Sequence, residues 1–337
     1  MPKKKPLIIP IFLPQQACPH QCVFCNQKAI TGVIIDKPDV NHVVNEVNRF
    51  LSYKSPKHNY TQISFYGGNF LGIEKSYQKL LLETCNRFIK TKQVQSIRFS
   101  TRPDTITQDS LEFLKDYPVS TIELGVQSMD DNLLRYSQRG HSTTDTIKAV
   151  SLLKNYKYEI GLQVMTGLPK ESSKSHIETA KKTSKLKPDF CRIYPTLVIK
   201  GSPLAKLFEK GFYKPLSLKE AVYRTKNMFE IFTENKIPVI RMGLQSSLEF
   251  EKDHILDGPY HPAFGHLVYS EIFYEKAMQL IKDTNETEIK IKVHPGNISK
   301  MRGIKNSNIL RLKKRFNIKE IKVQGDKALL NDFIILE

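Results

Sequence analysis

Apolar residues recur with two different periods along the first two hundred positions of the chain. Short β-branched runs predict strands at residues 7–13, 63–66, 96–100, 121–126, 160–165 and 191–198. Helical spacing of apolar residues between these runs predicts helices at residues 40–53, 80–88, 111–114, 143–156 and 176–186. Six strand–helix units in succession favour an α/β protein in which helices cover a parallel sheet.

The pattern loosens after residue 201. Residues 217–235 predict an amphipathic helix, residues 238–243 a strand that extends the sheet, and residues 267–281 a further helix. Short strands are predicted next at residues 288–293, 318–323 and 333–336, with a basic helix between the first two. We therefore predict a core domain over residues 1–249 and a small, basic α+β extension over residues 250–337.

Three cysteines, Cys18, Cys22 and Cys25, follow the first predicted strand at CxxxCxxC spacing. Closely spaced thiolates bind soft metals, and iron–sulfur clusters are the main users of mixed cysteine spacings. Because a [4Fe–4S] cluster has four irons, three cysteines leave one iron open for a substrate or a cofactor. A zinc site is the alternative, with His20 as the nearest fourth ligand.

The composition indicates where the protein is located and which class of partner it binds. Five cysteines in 337 residues without a secretory signal are typical of a cytoplasmic protein rather than of a disulfide framework. No apolar run is long enough to cross a bilayer, so we expect no membrane partner. The net charge of +18 favours polyanions, above all nucleic acid, although a lysine-rich composition bias would produce the same charge.

Polar motifs stand where the predicted strands end. In parallel sheets the chemistry gathers at the carboxyl ends of the strands. Glu123, Gly125 and Gln127 share one face of the fourth strand because side chains alternate along a strand, and a carboxylate buried there needs a partner. Cys85, Cys191 and Met165 are assigned to the apolar core.

The cysteine motif, with an aromatic residue before its last cysteine, resembles the signature of the radical S-adenosylmethionine (SAM) superfamily. The resemblance implies a (βα)6 partial TIM-type barrel over roughly the first two hundred residues. It also implies two cofactors, a [4Fe–4S] cluster on Cys18, Cys22 and Cys25, and SAM bound through its amino and carboxylate groups to the open iron. An external donor such as flavodoxin or ferredoxin would supply an electron, SAM would be cleaved to a 5′-deoxyadenosyl radical, and that radical would take hydrogen from a substrate.

The resemblance further implies seven cofactor-binding residues at the strand ends. They are Gly67, Gly68, Arg102, Glu123, Gln127, Gln163 and Tyr194. The two glycines would meet the SAM amino group through their backbone, with Asn69 in place of the glutamate that is usual in the family. Arg102 would pair with the SAM carboxylate or with Asp104.

The remaining positions face the nucleoside of SAM in this interpretation. Glu123 and Gln127 lie on the strand that carries polar contacts to the ribose in the family, so ribose hydroxyls would be the partner of Glu123. Gln163 and Tyr194 lie on the two strands that run beside the adenine. The residues 139–141, Arg-Gly-His, would bind substrate or cap the sheet.

The series of motifs is most similar to the radical SAM domain of Elongator catalytic subunits, which modify the wobble uridine of tRNA. A looser similarity exists to oxygen-independent coproporphyrinogen III oxidase. The Elongator acetyltransferase domain has no counterpart in this sequence, and the first gap between the cysteines is shorter. RNA, in particular tRNA, is the substrate that this resemblance implies. The alternatives are a small molecule such as a tetrapyrrole, or a non-catalytic protein that binds a cluster or haem.

Basic residues in the extension bear on the choice of substrate. Residues 282–327 hold 13 Lys or Arg against five Asp or Glu, and three of the 12 arginines of the chain, Arg302, Arg311 and Arg315, lie there. Arginine suits phosphate recognition. We therefore expect Lys313, Lys314 and Arg315 to contact RNA, with a lysine-rich solvated face as the alternative.

Overall fold

The computed structural model describes residues 5–13, 18, 19, 21–31, 37–244, 254–330 and 334–336. The strands are β1 (Lys5–Phe12), β2 (His58–Tyr66), β3 (Ser96–Thr101), β4 (Val119–Gln127), β5 (Glu159–Thr166), β6 (Phe190–Pro195), β7 (Val198–Ile199), β8 (Val239–Met242), β9 (Ile255–Asp257), β10 (Glu288–Val293), β11 (Glu320–Gly325) and β12 (Ile334–Leu336). The helices are α1 (Gln27–Thr31), α2 (Val40–Leu51), α3 (Lys75–Lys90), α4 (Gln108–Leu114), α5 (Asp131–Tyr136), α6 (Thr143–Asn155), α7 (Ser175–Lys185), α8 (Pro203–Glu209), α9 (Leu218–Glu234), α10 (Phe264–Ile281), α11 (Ile298–Arg302) and α12 (Ser307–Phe316).

A seven-stranded sheet in the order β1–β2–β3–β4–β5–β6–β8 forms the centre of the fold. All of its neighbouring strands are parallel, so their carboxyl ends lie along one edge. This confirms the predicted α/β partial barrel of βα units and the strand that extends it. The sixth predicted strand, in contrast, is two strands. β6 ends at Pro195, which has no amide hydrogen to continue the ladder, and β7 pairs antiparallel with β9 instead.

The core lies between the sheet and its helices. Leu124 and Val126 are fully buried on the helix-facing side of β4, as the alternation predicts. Cys85 and Cys191 are also fully buried in this cluster, which confirms their assignment to the core. The short helices α1, α5, α8 and α11 were not predicted, because five to seven residues carry too little periodicity to be recognised.

The carboxyl-terminal part forms a second small sheet in the order β11–β10–β12. β10 pairs parallel with β11 and antiparallel with β12, and the basic helix α12 lies between β10 and β11 in the chain. The predicted elements are therefore confirmed, but the predicted boundary at residues 249 and 250 lies outside the described residues. In the described part of the chain, no helix has the length and apolar character that crossing a membrane requires.

Candidate active site

The cysteine loop follows β1 at the carboxyl edge of the sheet. Cys18 is exposed, Cys22 is buried and Cys25 is half-buried. Within the loop, the Cys25 amide donates a hydrogen bond to the Cys22 carbonyl at 3.0 Å. Val23 connects the loop to its surroundings, since its amide donates to Ser137 at the end of α5 and its carbonyl accepts from Leu204 in α8. Two short helices that the sequence did not reveal therefore hold the cysteine loop in place.

Arg139 joins this loop to the sheet. Its Nη1 donates to the Cys22 Sγ at 3.1 Å, and its Nη2 donates to the Gly125 carbonyl at 2.6 Å. A Cβ on Gly125 would lie 3.2 Å from the Arg139 Nη2 and 2.9 Å from the Gln127 Nε2, so a larger residue would displace both side chains. Only glycine at position 125 leaves room for this buried guanidinium.

The three thiols influence one another. Burial raises the pKa of Cys18, and the charge of Cys22 acts in the same direction. Burial raises the pKa of Cys25 to about 12, followed by the charges of Cys22 and Cys18. The raised pKa values favour the protonated thiols of Cys18 and Cys25, and a bound metal cation would reverse that balance.

This donor set fits an iron–sulfur cluster, which takes deprotonated thiols as its ligands. Over the described ranges, no three His, Cys, Asp or Glu side chains are grouped so that they could hold a single metal ion. The thiols of a cluster bind different irons and stand farther apart than the ligands of one ion. His20, the fourth ligand in the zinc alternative, lies outside the described residues.

The Gly-Gly turn follows β2. Gly67 has a φ of 92°, in the region that favours glycine, and both Gly67 and Gly68 are half-buried at the strand end. Asn69 is buried, and its Oδ1 accepts hydrogen bonds from the Thr101 and Thr105 hydroxyls at 2.7 Å and 3.1 Å. The Asn69 side chain therefore connects the turn after β2 to the turn after β3.

Arg102 stands in that second turn. Its Nε and Nη2 each donate to an oxygen of Asp104 at 2.9 Å. Arg102 therefore pairs with Asp104, which is one of its two predicted partners. The remaining nitrogen, Nη1, is buried and has no hydrogen-bond partner among the residues described. The charge of Arg102 also opposes the rise in the pKa of Cys18.

Glu123 lies at the centre of a polar network inside the barrel. It is fully buried, and its oxygens lie 2.6 Å from the Arg98 Nη2 and 2.7 Å from the Arg192 Nε. Gln163 donates to the same carboxylate at 3.0 Å. Protein groups therefore already satisfy this carboxylate, and a contact between Glu123 and the ribose hydroxyls stays a prediction.

The two arginines of this network were missed by the sequence reasoning. Arg98 alternates with the buried Phe99 on β3, and Arg192 alternates with the buried Ile193 on β6. The available signal was a single charged residue between two apolar neighbours in each strand. It indicates a side chain that faces the barrel interior.

The network continues toward the carboxyl edge. Arg192 donates to the Tyr66 and Tyr194 hydroxyls at 3.3 Å and 3.4 Å. Burial raises the pKa of Tyr194, and the charge of Arg192 opposes this shift. Met165 is half-buried on the same side of β5 as Gln163, so its assignment to the core was wrong.

The structure thus places the predicted site residues in the barrel interior and at the neighbouring strand ends. Glu123 and Gln163 are in contact, and Arg192 connects them to Tyr194. Gln127, which has a φ of 64°, lies beside Gly125 and Arg139. The Gly-Gly turn and Arg102 stand at the neighbouring strand ends, and the cysteine loop is reached through Arg139.

His141 adds a group that sequence reasoning left undecided. Both ring nitrogens are buried, and no hydrogen bond of standard geometry reaches them from the described residues. Burial lowers the pKa of His141 to about 4, with the charges of Arg139 and Arg102 acting in the same direction and the Val126 carbonyl opposing them. The imidazole is therefore neutral at pH 7 and can both donate and accept.

An open cavity of about 790 Å³ lies beside this histidine. Its lining comes from the cysteine loop, from α5 and from the segment between α5 and α6. It includes Pro19, Gln21, Arg135, Gln138 and His141. A molecule in this cavity would contact the cysteine loop and the histidine together.

Comparison with known proteins first defines the class. Residues 12–183 match the family model of the radical SAM superfamily, and residues 188–273 match that of the radical SAM C-terminal domain. The chain belongs to the radical SAM superfamily. It is a radical SAM enzyme whose cofactors are a [4Fe–4S] cluster and SAM, and enzymes of this superfamily need an electron donor.

The individual relatives are Elongator-like. The chain is 28% identical over 234 residues to a tRNA uridine(34) acetyltransferase of Methanocaldococcus infernus, with 62% of this chain and 42% of that protein covered. It is 30% identical over 178 residues to Elongator complex protein 3 of Saccharomyces cerevisiae, with 46% and 32% covered. The structure of the archaeal Elp3 of Methanocaldococcus infernus has the same fold, with a TM-score of 0.60, 23% identity, and 81% of this chain and 63% of that chain covered. The chain spans less than two thirds of the length of each of these proteins.

Proposed function

We propose that this radical SAM enzyme modifies RNA, with tRNA as its substrate. The observation that carries the proposal is the charge of the small carboxyl-terminal sheet and its helices. Between Glu288 and Glu320 the chain has seven lysines, three arginines and no acidic residue. Relatives named for uridine 34 of tRNA support the same substrate class. A polyanionic chain gains affinity from each phosphate that such a surface neutralises.

The cysteine loop would hold the cluster through Cys18, Cys22 and Cys25. When bound, the cluster and SAM supply the radical chemistry that removes hydrogen from the substrate. The protein's part is to bind and orient the cofactors and to exclude water. Arg139 supports this role, because it fixes Cys22 against the sheet at Gly125.

SAM would lie along the strand ends. Gly67 and Gly68 would approach its amino group through the backbone, and the free Arg102 Nη1 would approach its carboxylate while Asp104 holds the rest of the guanidinium. Gln127, Gln163 and Tyr194 would line the nucleoside. Glu123 would act mainly through the groups it positions, since it binds Arg192 and Gln163 directly.

The first test concerns the cysteines. Replacing Cys18, Cys22 or Cys25 with Ala should remove most iron from anaerobically reconstituted protein and abolish 5′-deoxyadenosine formation from SAM under dithionite. Cys85→Ala removes a thiol from the core and should keep the iron. One zinc per chain with no iron in the unsubstituted protein would contradict this part of the proposal.

The second test concerns the substrate. Purified protein should retain tRNA at low salt, and incubation of the loaded enzyme with SAM, reductant and tRNA should change the mass of a nucleoside in the RNA digest. If 5′-deoxyadenosine forms but the protein neither binds nor alters tRNA, the RNA proposal is wrong and a small-molecule substrate becomes the better explanation.

A further inference from the structure

A depression of about 560 Å³ lies on the carboxyl-terminal part of the fold. It is bounded by the beginning of α10, by α11 and by the turn that precedes α12. The polar and charged residues that line it are His266, Ser299, Arg302, Lys305 and Asn306. It contains no acidic side chain in its lining.

The two long cations of this depression are free. Arg302 and Lys305 are exposed, and neither side chain makes an ion pair or hydrogen bond within the described residues. Arg311 on α12 differs, since both of its Nη atoms contact Glu271 at 2.6 Å and 2.9 Å and its guanidinium lies 3.6 Å from the centre of the Tyr274 ring. The charge of α12 is therefore partly neutralised, whereas that of the depression is not.

The backbone around the depression is tightly fixed. Gly303, Lys305 and Asn306 all have left-handed φ values, of 72°, 52° and 60°. A Cβ on Gly303 would lie 2.5 Å from the Ser307 Oγ, so the turn closes directly onto the start of α12. The buried Asn308 then donates hydrogen bonds to the Ser270 and Lys300 carbonyls at 2.7 Å and 3.2 Å. Cations on a fixed turn lose less conformational freedom on binding than cations on a mobile loop.

The depression lies near the carboxyl edge of the seven-stranded sheet. The first turn of α10 packs on the end of β8, where a Cβ on Gly243 would lie only 2.8 Å from the Phe264 Cβ. His266 follows within the same turn of α10 and lines the depression. A strand of RNA on this surface would therefore lie at the edge where the proposed site is found.

We propose that Arg302 and Lys305, with His266 and Asn306, bind phosphodiester groups of the RNA substrate. This inference rests on the proposed function and deepens it. Two exposed cations, a histidine and an amide on one fixed concave surface provide the charge and the hydrogen-bond donors that phosphate oxygens accept. The inference moves the RNA contact from Lys313, Lys314 and Arg315 to the turn before α12.

The experiment compares two charge reversals of equal size. Arg302→Glu with Lys305→Glu alters the depression, and Lys313→Glu with Lys314→Glu alters α12 by the same charge. Affinity for a tRNA transcript is measured between 50 and roughly 200 mM salt. We expect the depression variant to lose at least about tenfold in affinity for tRNA. The slope of its log affinity against log salt concentration should decrease by the amount that about two phosphate contacts contribute. The α12 variant should lose clearly less affinity.

Further measurements decide the outcome. Cleavage of SAM without RNA should be unchanged in both charge-reversal variants, which would show that they fold. The double variant Arg302→Ala with Lys305→Ala should also weaken tRNA binding, although it removes the two charges and does not reverse them. Equal losses in both charge-reversal variants, or a loss confined to the α12 variant, would overturn the inference while leaving RNA as the substrate. No tRNA binding by the unsubstituted protein would overturn the proposed function, and this inference with it.

Discussion

Two buried arginines make the barrel interior polar and positively charged. Arg98 and Arg192 share Glu123, so the network contains one more cation than carboxylates. Removing one partner of a buried ion pair typically costs about 3–5 kcal/mol, because the remaining charge stays buried. A variant of Glu123 would therefore lose stability whatever the residue binds. Loss of activity in such a variant is not by itself evidence of cofactor contact.

Arg139 provides a more specific residue-level prediction. Its hydrogen bond to the Cys22 Sγ places a cation beside a proposed cluster ligand. Reduction adds negative charge to a cluster, so a cationic donor stabilises the reduced state more than the oxidised state. Arg139→Gln should therefore lower the midpoint potential of the reconstituted cluster. A hydrogen bond to a charged group contributes about 1.5–3 kcal/mol, and only the part that differs between the two redox states moves the potential. We therefore expect a decrease of tens of millivolts in a redox titration followed by electron paramagnetic resonance.

Arg135→Gln is the matched control for this prediction. Arg135 is exposed at the end of α5, and its side chain makes no hydrogen bond within the described residues. The variant removes the same charge four positions earlier in the chain and should leave the potential nearly unchanged. Equal shifts in the two variants would show that total charge, and not the bond to Cys22, sets the potential.

At the scale of single residues, the sequence predicts those features of the site that depend on neighbouring positions in the chain. The cysteine spacing and the alternation along β4 could be predicted because each depends on neighbouring residues. The partners of Glu123 could not, because Arg98 and Arg192 lie 25 and 69 positions away and meet it only when three strands align. Arg139 is 117 positions from Cys22, and nothing in either segment indicates the contact.

At the scale of elements, the start of α6 fixes the segment that carries Arg139 and His141. Ser142 is the N-cap, and its side chain accepts a hydrogen bond from the Asp145 amide. The Asp145 carboxylate in turn accepts from the Ser142 amide at 2.8 Å, which completes a capping box. The histidine beside the open cavity is thus followed directly by a well-defined helix start.

Ser142→Ala should cost about 1 kcal/mol in the free energy of unfolding, measured by urea denaturation at pH 7. The backbone hydrogen bond from Ser142 lowers the pKa of Asp145, followed by the bond from the Ser142 hydroxyl. A carboxyl whose folded-state pKa is lowered contributes stability above its unfolded pKa of about 3.9 and loses it as the pH falls through the folded value. The difference in free energy of unfolding between the unsubstituted protein and Ser142→Ala should therefore become smaller below about pH 4.

Thr144→Ala is the control in the same turn. Thr144 is exposed, and its side chain has no hydrogen bond in the described part of the chain. This variant should change the free energy of unfolding by less than about 0.5 kcal/mol, with no added pH dependence. A pH-independent loss in Ser142→Ala would show that the capping box does not account for the stability of this helix start.

Elements could be predicted where they are long or strongly apolar. The strands of the barrel and the helices α2, α3, α6, α9 and α10 all follow from the period of their apolar residues. The short helices α5 and α8 could not be predicted, yet they hold the cysteine loop through Val23. Their place is set by contacts with the loop, which a local pattern does not contain.

At the scale of the whole molecule, α10 joins the barrel to the small sheet. Its first half contributes Phe264, Val268 and Ile272 to a cluster with α9. Its second half contributes Phe273, Tyr274, Ala277 and Ile281 to the core of the small sheet. The ion pair of Lys226 with Glu275 also links α9 to α10. We therefore propose that the extension predicted over residues 250–337 unfolds together with the barrel and not as an independent domain.

Leu312→Ala provides the reference for testing this coupling. Leu312 is fully buried in the core of the small sheet but belongs to α12, which does not contribute to the cluster shared with α9. Removing it should cost about 2–5 kcal/mol locally. In hydrogen exchange, we expect faster exchange of amides in β10 and β11, with α9 unaffected at temperatures well below the midpoint of unfolding.

Phe273→Ala should behave differently because Phe273 lies where the two halves of α10 meet. The side chain is 3% exposed, and its loss should cost about 3–5 kcal/mol through the cavity it leaves. Weakening this part of α10 loosens both of its interfaces, so amides in α9 should exchange faster together with those in β10. If the faster exchange in Phe273→Ala stays confined to β10 and β11, as in Leu312→Ala, the small sheet and α10 open as a unit of their own, and the proposed coupling is wrong.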